Sequence, residues 1–434
     1  MDMVEREIRK PVAQSTQQNR RSKTHEPLAE RIVSSESIKI INPNAGRNKG
    51  NGAERERDSY RHILCEGNIH ITTEEEMVKD ISSDLLENPT SMILTSGGDG
   101  TVHKFLREFF LVNYDCFGGG MTLIEFGHQL NRLALDLQSG VNIPCLCPIP
   151  RGTVNFLAKL CGINEDKRKI AENLMRARQN PGEVTRVLDV VYIPVLMMYS
   201  KERPHDPEHV QLMTVYGDGF TFRSVDEYER FKENWIGPKM GAALKVVAKG
   251  SISAAIGLML DKISTSIYGS AEKSRGLYPN RFGDMLAEPI EGEVKVDGRT
   301  LPTDKRTMTL IGTHWMDSQG IKPFWRMPRH AKDMKTYFPA GVPVNPDLLD
   351  PKDYTFHSIC GNPTAMDIVV GVPWFFSGRQ TYMRGIHDVE AKRVEMQKKE
   401  PYSIIAGGTR HHELPVGDTI VIEIAYLQPF AMLG

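Results

Sequence analysis

The sequence lacks a surplus of either charge. Its 434 residues carry 54 Lys and Arg against 55 Asp and Glu, a formal net charge of −1. A nucleic-acid binder needs a basic footprint, so this balance argues against that class. Cysteine is scarce as well: Cys65, Cys116, Cys145, Cys147, Cys161 and Cys360, with no CxxC pair. That argues against a disulfide framework or a zinc site, and reduced thiols in a cytosolic protein are the expectation. Long apolar runs are missing too. The longest, residues 252–260, falls far short of the roughly 20 residues a membrane-spanning helix needs. The opening MDMVEREIRK has no apolar core, so no signal peptide is expected and any membrane contact would be peripheral. There is no internal repeat and no low-complexity tract.

What is present is a globular composition, 40% hydrophobic and 25% charged. At about 100–200 residues per domain the length suits two to four domains. Residues 1–36 are polar and without periodicity, which reads as a flexible tail. Residues 9–23 hold five basic residues and no acidic one, a solvated stretch or a contact for anionic lipid. Order is expected from Ile38. Three short β-rich runs each end in a polar turn: 37–41 (SIKII) before Asn42-Pro43-Asn44-Ala45-Gly46, 91–95 (SMILT) before Ser96-Gly97-Gly98-Asp99-Gly100-Thr101, and 146–149 before Pro150-Arg151-Gly152-Thr153. Helical patterns follow the second and third: Val102, Phe105, Leu106 and Phe109, then Val154, Leu157, Ala158 and Cys161. Strand, glycine turn, helix is the grammar of an α/β domain with a parallel sheet. Such sheets bind ligands beyond the carboxyl ends of their strands, so the three turns are expected on one edge.

A long stretch, 115–144, separates the second and third units and is expected to carry an extra helix at 124–137. After Leu188 short β-rich runs follow at 190–198, 211–216, 294–296, 308–311, 365–372 and 419–427, the pattern of a mostly antiparallel sandwich or barrel. A helical interruption is expected at 239–266. The division is therefore a tail (1–36), an α/β nucleotide-binding domain (37–187) and a β-sandwich domain (188–434).

The turns carry the chemistry. Gly97, Gly98 and Gly100 let the backbone approach a ligand, and the helix that follows offers unpaired N–H groups and a positive dipole end, which favours phosphate. Asp99 is the odd element: a carboxylate beside phosphate would hold a metal, bind a ribose or N–H group, or order the loop, and a plain N-cap is the bland alternative. Asn42 and Asn155 suit a base, a ribose hydroxyl or each other's loops. Thr101 and Thr153 can donate hydroxyls to phosphate oxygens. Arg151, inside the third turn, could complete a phosphate clamp or be a solvated loop residue. Taken singly, each is as easily a turn or cap residue; together with Gly152 they make a nucleotide site. Further on, basic residues between Lys322 and Lys335 lie near Trp315, Phe324 and Trp325, a mix that suits anionic headgroups or an ordinary solvated face.

The order NPxxG, GGDGT, PxGTxNxxA resembles the diacylglycerol kinase catalytic domain shared by soluble bacterial lipid kinases, sphingosine kinases and ceramide kinases, and the likeness continues more weakly to the end of the chain. Tyr216-Gly217-Asp218-Gly219-Phe220 is similar to a turn of that family's second domain. The resemblance implies an NAD-kinase-like α/β domain joined to a β-sandwich, ATP in the cleft between them, and a lipid hydroxyl attacking the γ-phosphate. It implies that Asn42, Thr101, Thr153 and Asn155 hold the nucleotide and that Asp99 acts on magnesium. It further implies a cytoplasmic enzyme peripheral to the inner membrane surface, with a lipid substrate and no nucleic-acid partner; a homodimer is left open.

Three departures stand out. Phe156 occupies a place where the family often has Asp. The 115–144 insertion is expected to border the cleft. The family's Asp-Gly-Glu turn, whose Asp is thought to deprotonate the acceptor, aligns with Gly407-Gly408-Thr409, so neither carboxylate is kept. His411, His412 or Glu413 could substitute; exposed hairpin residues are the alternative. Restoring Asp at 407 and Glu at 409 is expected to raise activity if the turn is vestigial, and Asp99→Asn is expected to abolish transfer with the fold intact. The rivals are an NAD kinase, which shares the GGDG loop, and a nucleotide-binding protein without transfer.

Overall fold

The computed structural model describes residues 37–45, 49–61, 68–72, 75–87, 92–136, 139–152, 155–163, 188–223, 288–316, 322–338, 344–364, 367, 371, 377–379, 383–399, 403–407, 409–411 and 416–433. The expected tail at 1–36 and the expected helix at 239–266 lie outside them. The N-terminal region has four parallel strands, β1 (Ser37–Ile41), β2 (Ile69–Ile71), β3 (Met92–Gly97) and β4 (Cys145–Pro150), in the order β2-β1-β3-β4. Helices α1 (Gly52–Tyr60), α2 (Glu75–Glu87), α3 (Asp99–Phe117), α4 (Leu123–Leu135) and α5 (Phe156–Leu160) join them. β3 and β4 are buried along their whole length, as strands covered on both faces must be.

The C-terminal region is a sandwich of antiparallel strands, as the spacing of the short runs leads one to expect. β5 (Leu188–Ser200) pairs along its whole length with the last strand, Thr419–Leu433. That strand also lies parallel to β4, through Phe430 and Leu146. The two regions are thereby sewn into one 11-stranded sheet. The expected run 211–216 divides into β6 (Gln211–Met213) and β7 (Val215–Gly219). β7 belongs to a second, six-stranded sheet with Met308–Gly312, Phe356–Gly361, Ile386–Ala391, Ile404–Ala406 and Thr409–His411. Between the sheets sits a core that includes Leu196, Met213, Tyr216, Ile311, Phe356 and Ile422.

Two expectations are corrected. The stretch 365–372 falls mostly outside the described residues, but Asp367 and Gly371 are helical rather than extended. The reason is local: Thr364 N donates to Asp367 Oδ2 (2.9 Å) and Asp367 N donates to Thr364 Oγ1 (3.2 Å), a reciprocal pairing that starts a helix. The insertion does not border the turns. α3 has 19 residues, so its far end lies about 27 Å from Asp99 at about 1.5 Å per residue. From there α4, started by a Thr122–Glu125 capping box, packs on a bulge in the last strand between Ile424 and Tyr426. The Asn131 side chain donates to Leu427 O and accepts from Leu427 N, both at 2.8 Å, as a neighbouring strand would. The insertion buttresses the seam between the two regions.

Candidate functional site

The sheet register sets the site. Ile41 pairs with Ser96, and Gly97 with Pro150, so β1, β3 and β4 end level and release their turns at one rim. Backbone bonds hold the turns together there. Asn42 N donates to Ser96 O at 2.9 Å, and Arg151 N and Gly152 N both donate to Gly97 O, at 2.9 and 3.1 Å. Side chains add to this: Asn42 Nδ2 donates to Thr101 Oγ1 at 3.0 Å. Asn155, in the left-handed region at φ 54, closes its own turn by accepting from Gly152 N (2.8 Å) and donating to Gly152 O (2.7 Å). A Cβ on Gly98 would fall 3.3 Å from Gly152 Cα, so the second and third turns meet backbone to backbone. Thr153 lies outside the described residues.

Asp99, the first residue of α3, does not cap its own helix. Its carboxylate accepts from Phe156 N and Leu157 N, each at 3.1 Å, and so caps the start of α5. Burial pushes its carboxyl up to about 6, while those N–H groups pull the other way. Asp99→Asn therefore reaches the fold as well as the chemistry, because an amide has one acceptor oxygen for two N–H groups. α3 itself begins at Gly98 without a side-chain cap. The N-terminus of this 19-residue helix thus faces the rim with a glycine at its N-cap.

Arg151, expected at the rim, turns beneath it. Its guanidinium is 4% exposed and pairs with Glu56 of α1 at 2.7 Å. Glu56 also takes Lys39 Nζ at 2.9 Å and Ser96 Oγ at 3.2 Å, and Lys39 lies over the Tyr60 ring. Burial lowers Lys39 to about 7 against the opposing pull of Glu56. One carboxylate thereby ties β1, β3 and the third turn into a floor under the site. A lysine inside the apolar run SIKII was the sequence signal for this; nothing local marked Glu56.

The C-terminal turn reaches the same rim. Gly407 N donates to Val215 O at 2.8 Å, and a Cβ on Gly100 would fall 2.9 Å from Thr409 Oγ1. The turn likened to the family's acidic turn thus lies at the rim, but no side chain fits at Gly407. Gly407 sits at φ +56 and a Cβ on it would run into the His103 ring. His103 Nε2 accepts from Thr214 N at 3.1 Å, which leaves Nδ1 to donate to Gly407 O at 2.8 Å. Burial lowers His103 to about 4 and His314 to about 3. Phe156 packs beside both rings, at 6.5 and 5.3 Å between centroids. At the places where the resemblance implies acids, this chain has Phe156, Gly407 and Thr409, and the His103 ring lies against Gly407. His412 and Glu413 lie outside the described residues.

Within the aromatic and basic tract at 322–335, Trp325 and Arg326 are tied inward, while Arg329, Lys332 and Lys335 are exposed. Trp325 Nε1 and Arg326 Nε donate to Asp388, at 2.8 and 2.9 Å, and Arg326 stacks on Trp325. Asp218, in the segment likened to a turn of the second domain, lies instead in strand β7, buried against Arg306 at 3.0 Å.

Residues 37–187 match the family model of the diacylglycerol kinase catalytic domain. No curated protein matches the chain. Among solved structures, a candidate diacylglycerol kinase from Bacillus anthracis str. Sterne is 15% identical over 92% of this chain and 97% of its own, with a TM-score of 0.48. A diacylglycerol kinase from the same source is 14% identical over 92% and 97%, with a TM-score of 0.43.

Proposed function

We propose that the diacylglycerol kinase catalytic domain at residues 37–187 works in this chain as part of an ATP-dependent lipid kinase, with residues 188–434 as its second domain. The observation that carries this is the meeting of three turns at one rim, with Gly98 against Gly152 and Asn42 bonded to Thr101. Triphosphate oxygens would lie on the Gly97–Thr101 loop against the N-terminus of α3, where N–H groups and the helix dipole favour negative charge. Asn42, Thr153 and Asn155 would hold the nucleotide. The acceptor is a hydroxyl of a diacylglycerol-like or sphingoid lipid. Its oxygen forms a bond to the γ-phosphorus, the bond from that phosphorus to the β–γ bridging oxygen breaks, ADP leaves, and the hydroxyl proton passes to water or a base. The enzyme would act from the inner membrane surface as a peripheral protein; among the described residues no helix is long and apolar enough to cross a membrane.

Magnesium fits Asp99, because each carboxylate oxygen accepts one N–H and keeps a lone pair. When bound, it would neutralise phosphate charge, held by Asp99, phosphate oxygens and water. The chain's own part is positioning, which in phosphoryl transfer supplies much of the catalysis.

A second reading, nucleotide binding without transfer, is favoured by one observation: His103 fills the space an acid at 407 would need. Losing a general base removes a factor of about 100–10,000 in rate. Labelled ATP offered with diacylglycerol, sphingosine and NAD separates the readings. Transfer to either lipid supports the kinase. Transfer to NAD alone overturns the lipid acceptor, and ATP binding without transfer supports the second reading.

A further inference from the structure

Building on the nucleotide site proposed above, we infer that His103 is a positioning residue that seats the Gly407–Thr409 turn on the glycine loop, so that the turn offers phosphate the Thr409 hydroxyl where a carboxylate would repel it.

His103 is 3% exposed and both ring nitrogens are used. Thr214 N can only donate, so its 3.1 Å bond to Nε2 fixes the tautomer. The proton on Nδ1 then goes to Gly407 O at 2.8 Å. The other side of Gly407 is held by its N–H on Val215 O, at 2.8 Å. The turn is thus fastened at both ends of one residue, and the ring that fastens it also bars any side chain there. Burial lowers the imidazole to about 4, so it stays neutral near pH 7 and adds no charge of its own.

What the turn presents is Thr409. It is exposed, and a methyl placed on Gly100 would come within 2.9 Å of its Oγ1. The hydroxyl therefore lies over the first turn of α3, whose N-cap, Gly98, has no side chain. Asp99, the nearest carboxylate in sequence, is turned toward α5. A hydroxyl beside a helix N-terminus can donate to a phosphate oxygen, whereas a carboxylate at 409 would meet it with like charge. Gly407 and Thr409 thus change the turn from a proton acceptor to a phosphate ligand.

Titration of the full chain with ATP and, separately, with adenosine tests this. Thr409→Val should weaken ATP binding about tenfold or more, the size of one hydrogen bond to a charged group, and leave adenosine unchanged. Thr409→Ser should restore ATP binding, and Thr409→Glu should weaken it beyond Thr409→Val. His103→Leu should give the same phosphate-specific loss, and His103→Gln, which keeps a donor and an acceptor, should recover most of it. If His103→Leu fails to fold, the Thr409 series and His103→Gln decide alone. ATP binding indifferent to Thr409→Val overturns the inference, as does a gain of phosphate transfer in Thr409→Glu. A wild type that binds no ATP overturns the nucleotide reading itself and this one with it.

Discussion

Gly98 and Gly152 touch through their backbones. A Cβ on Gly98 would fall 3.3 Å from Gly152 Cα, and one on Gly152 would fall 3.1 Å from Gly98 N and closer still to its Cα. Gly152→Ala should therefore push the second and third turns apart. Overpacking of this kind costs about 1–3 kcal/mol. The expected result is a lower urea midpoint together with loss of ATP binding by titration calorimetry.

Asp99→Asn should lose transfer and also lower stability by about 0.5–2 kcal/mol, the usual cost of a damaged cap, since Phe156 N and Leu157 N both depend on that carboxylate. In the wild type the carboxyl titrates near 6. The ionised form is the active one, so transfer should fall as pH drops through about 6. A pH–rate series checks this; an acid limb near pH 4 instead would mean that Asp99 does not govern the rate.

Lys39 sets a different pH dependence. Folding lowers it to about 7, while in the unfolded chain it keeps its proton to about 10.4. Between those values the unfolded state binds more protons, so stability rises with pH on this account. Lys39→Met has no such rise. The stability difference, wild type minus Lys39→Met, should become more favourable to the wild type from pH 7 to pH 9 in urea denaturation.

Asn131→Ala separates stability from binding. It leaves Leu427 N and Leu427 O without the bonds they make now, at a cost of about 1–3 kcal/mol. Because α4 lies at the far end of α3 from the rim, ATP affinity should stay at the wild-type value once the variant is folded.

Gly407→Asp should not restore an acidic turn. The new Cβ would collide with His103, so a fall in melting temperature without any gain in transfer is expected. Higher activity would mean that the ring moves aside readily.

The rim was legible in the sequence because it rests on local signals. Apolar runs stopping at Asn42, Ser96 and Pro150 gave the strands, and a parallel sheet brings such ends together. The partners of the rim residues were not legible. Asp99 reads as a cap, but that it caps α5 depends on a neighbour 57 residues away in sequence. Arg151 reads as a clamp until Glu56, 95 residues earlier, draws it under the floor. His103 looks like one more residue of a buried helix; its role comes from Gly407, 304 residues on. The insertion read as a rim to the cleft because its position along α3 depends on how far that helix runs.

The most direct measurement is a structure of the chain with a non-hydrolysable ATP analogue. The expected result has phosphate oxygens within hydrogen-bond distance of backbone N–H groups between Gly98 and Thr101, with Asn42 and Asn155 at the nucleotide. An analogue bound elsewhere, or bound without contact to the Gly97–Thr101 loop, would contradict the claim that the three turns together grip a triphosphate.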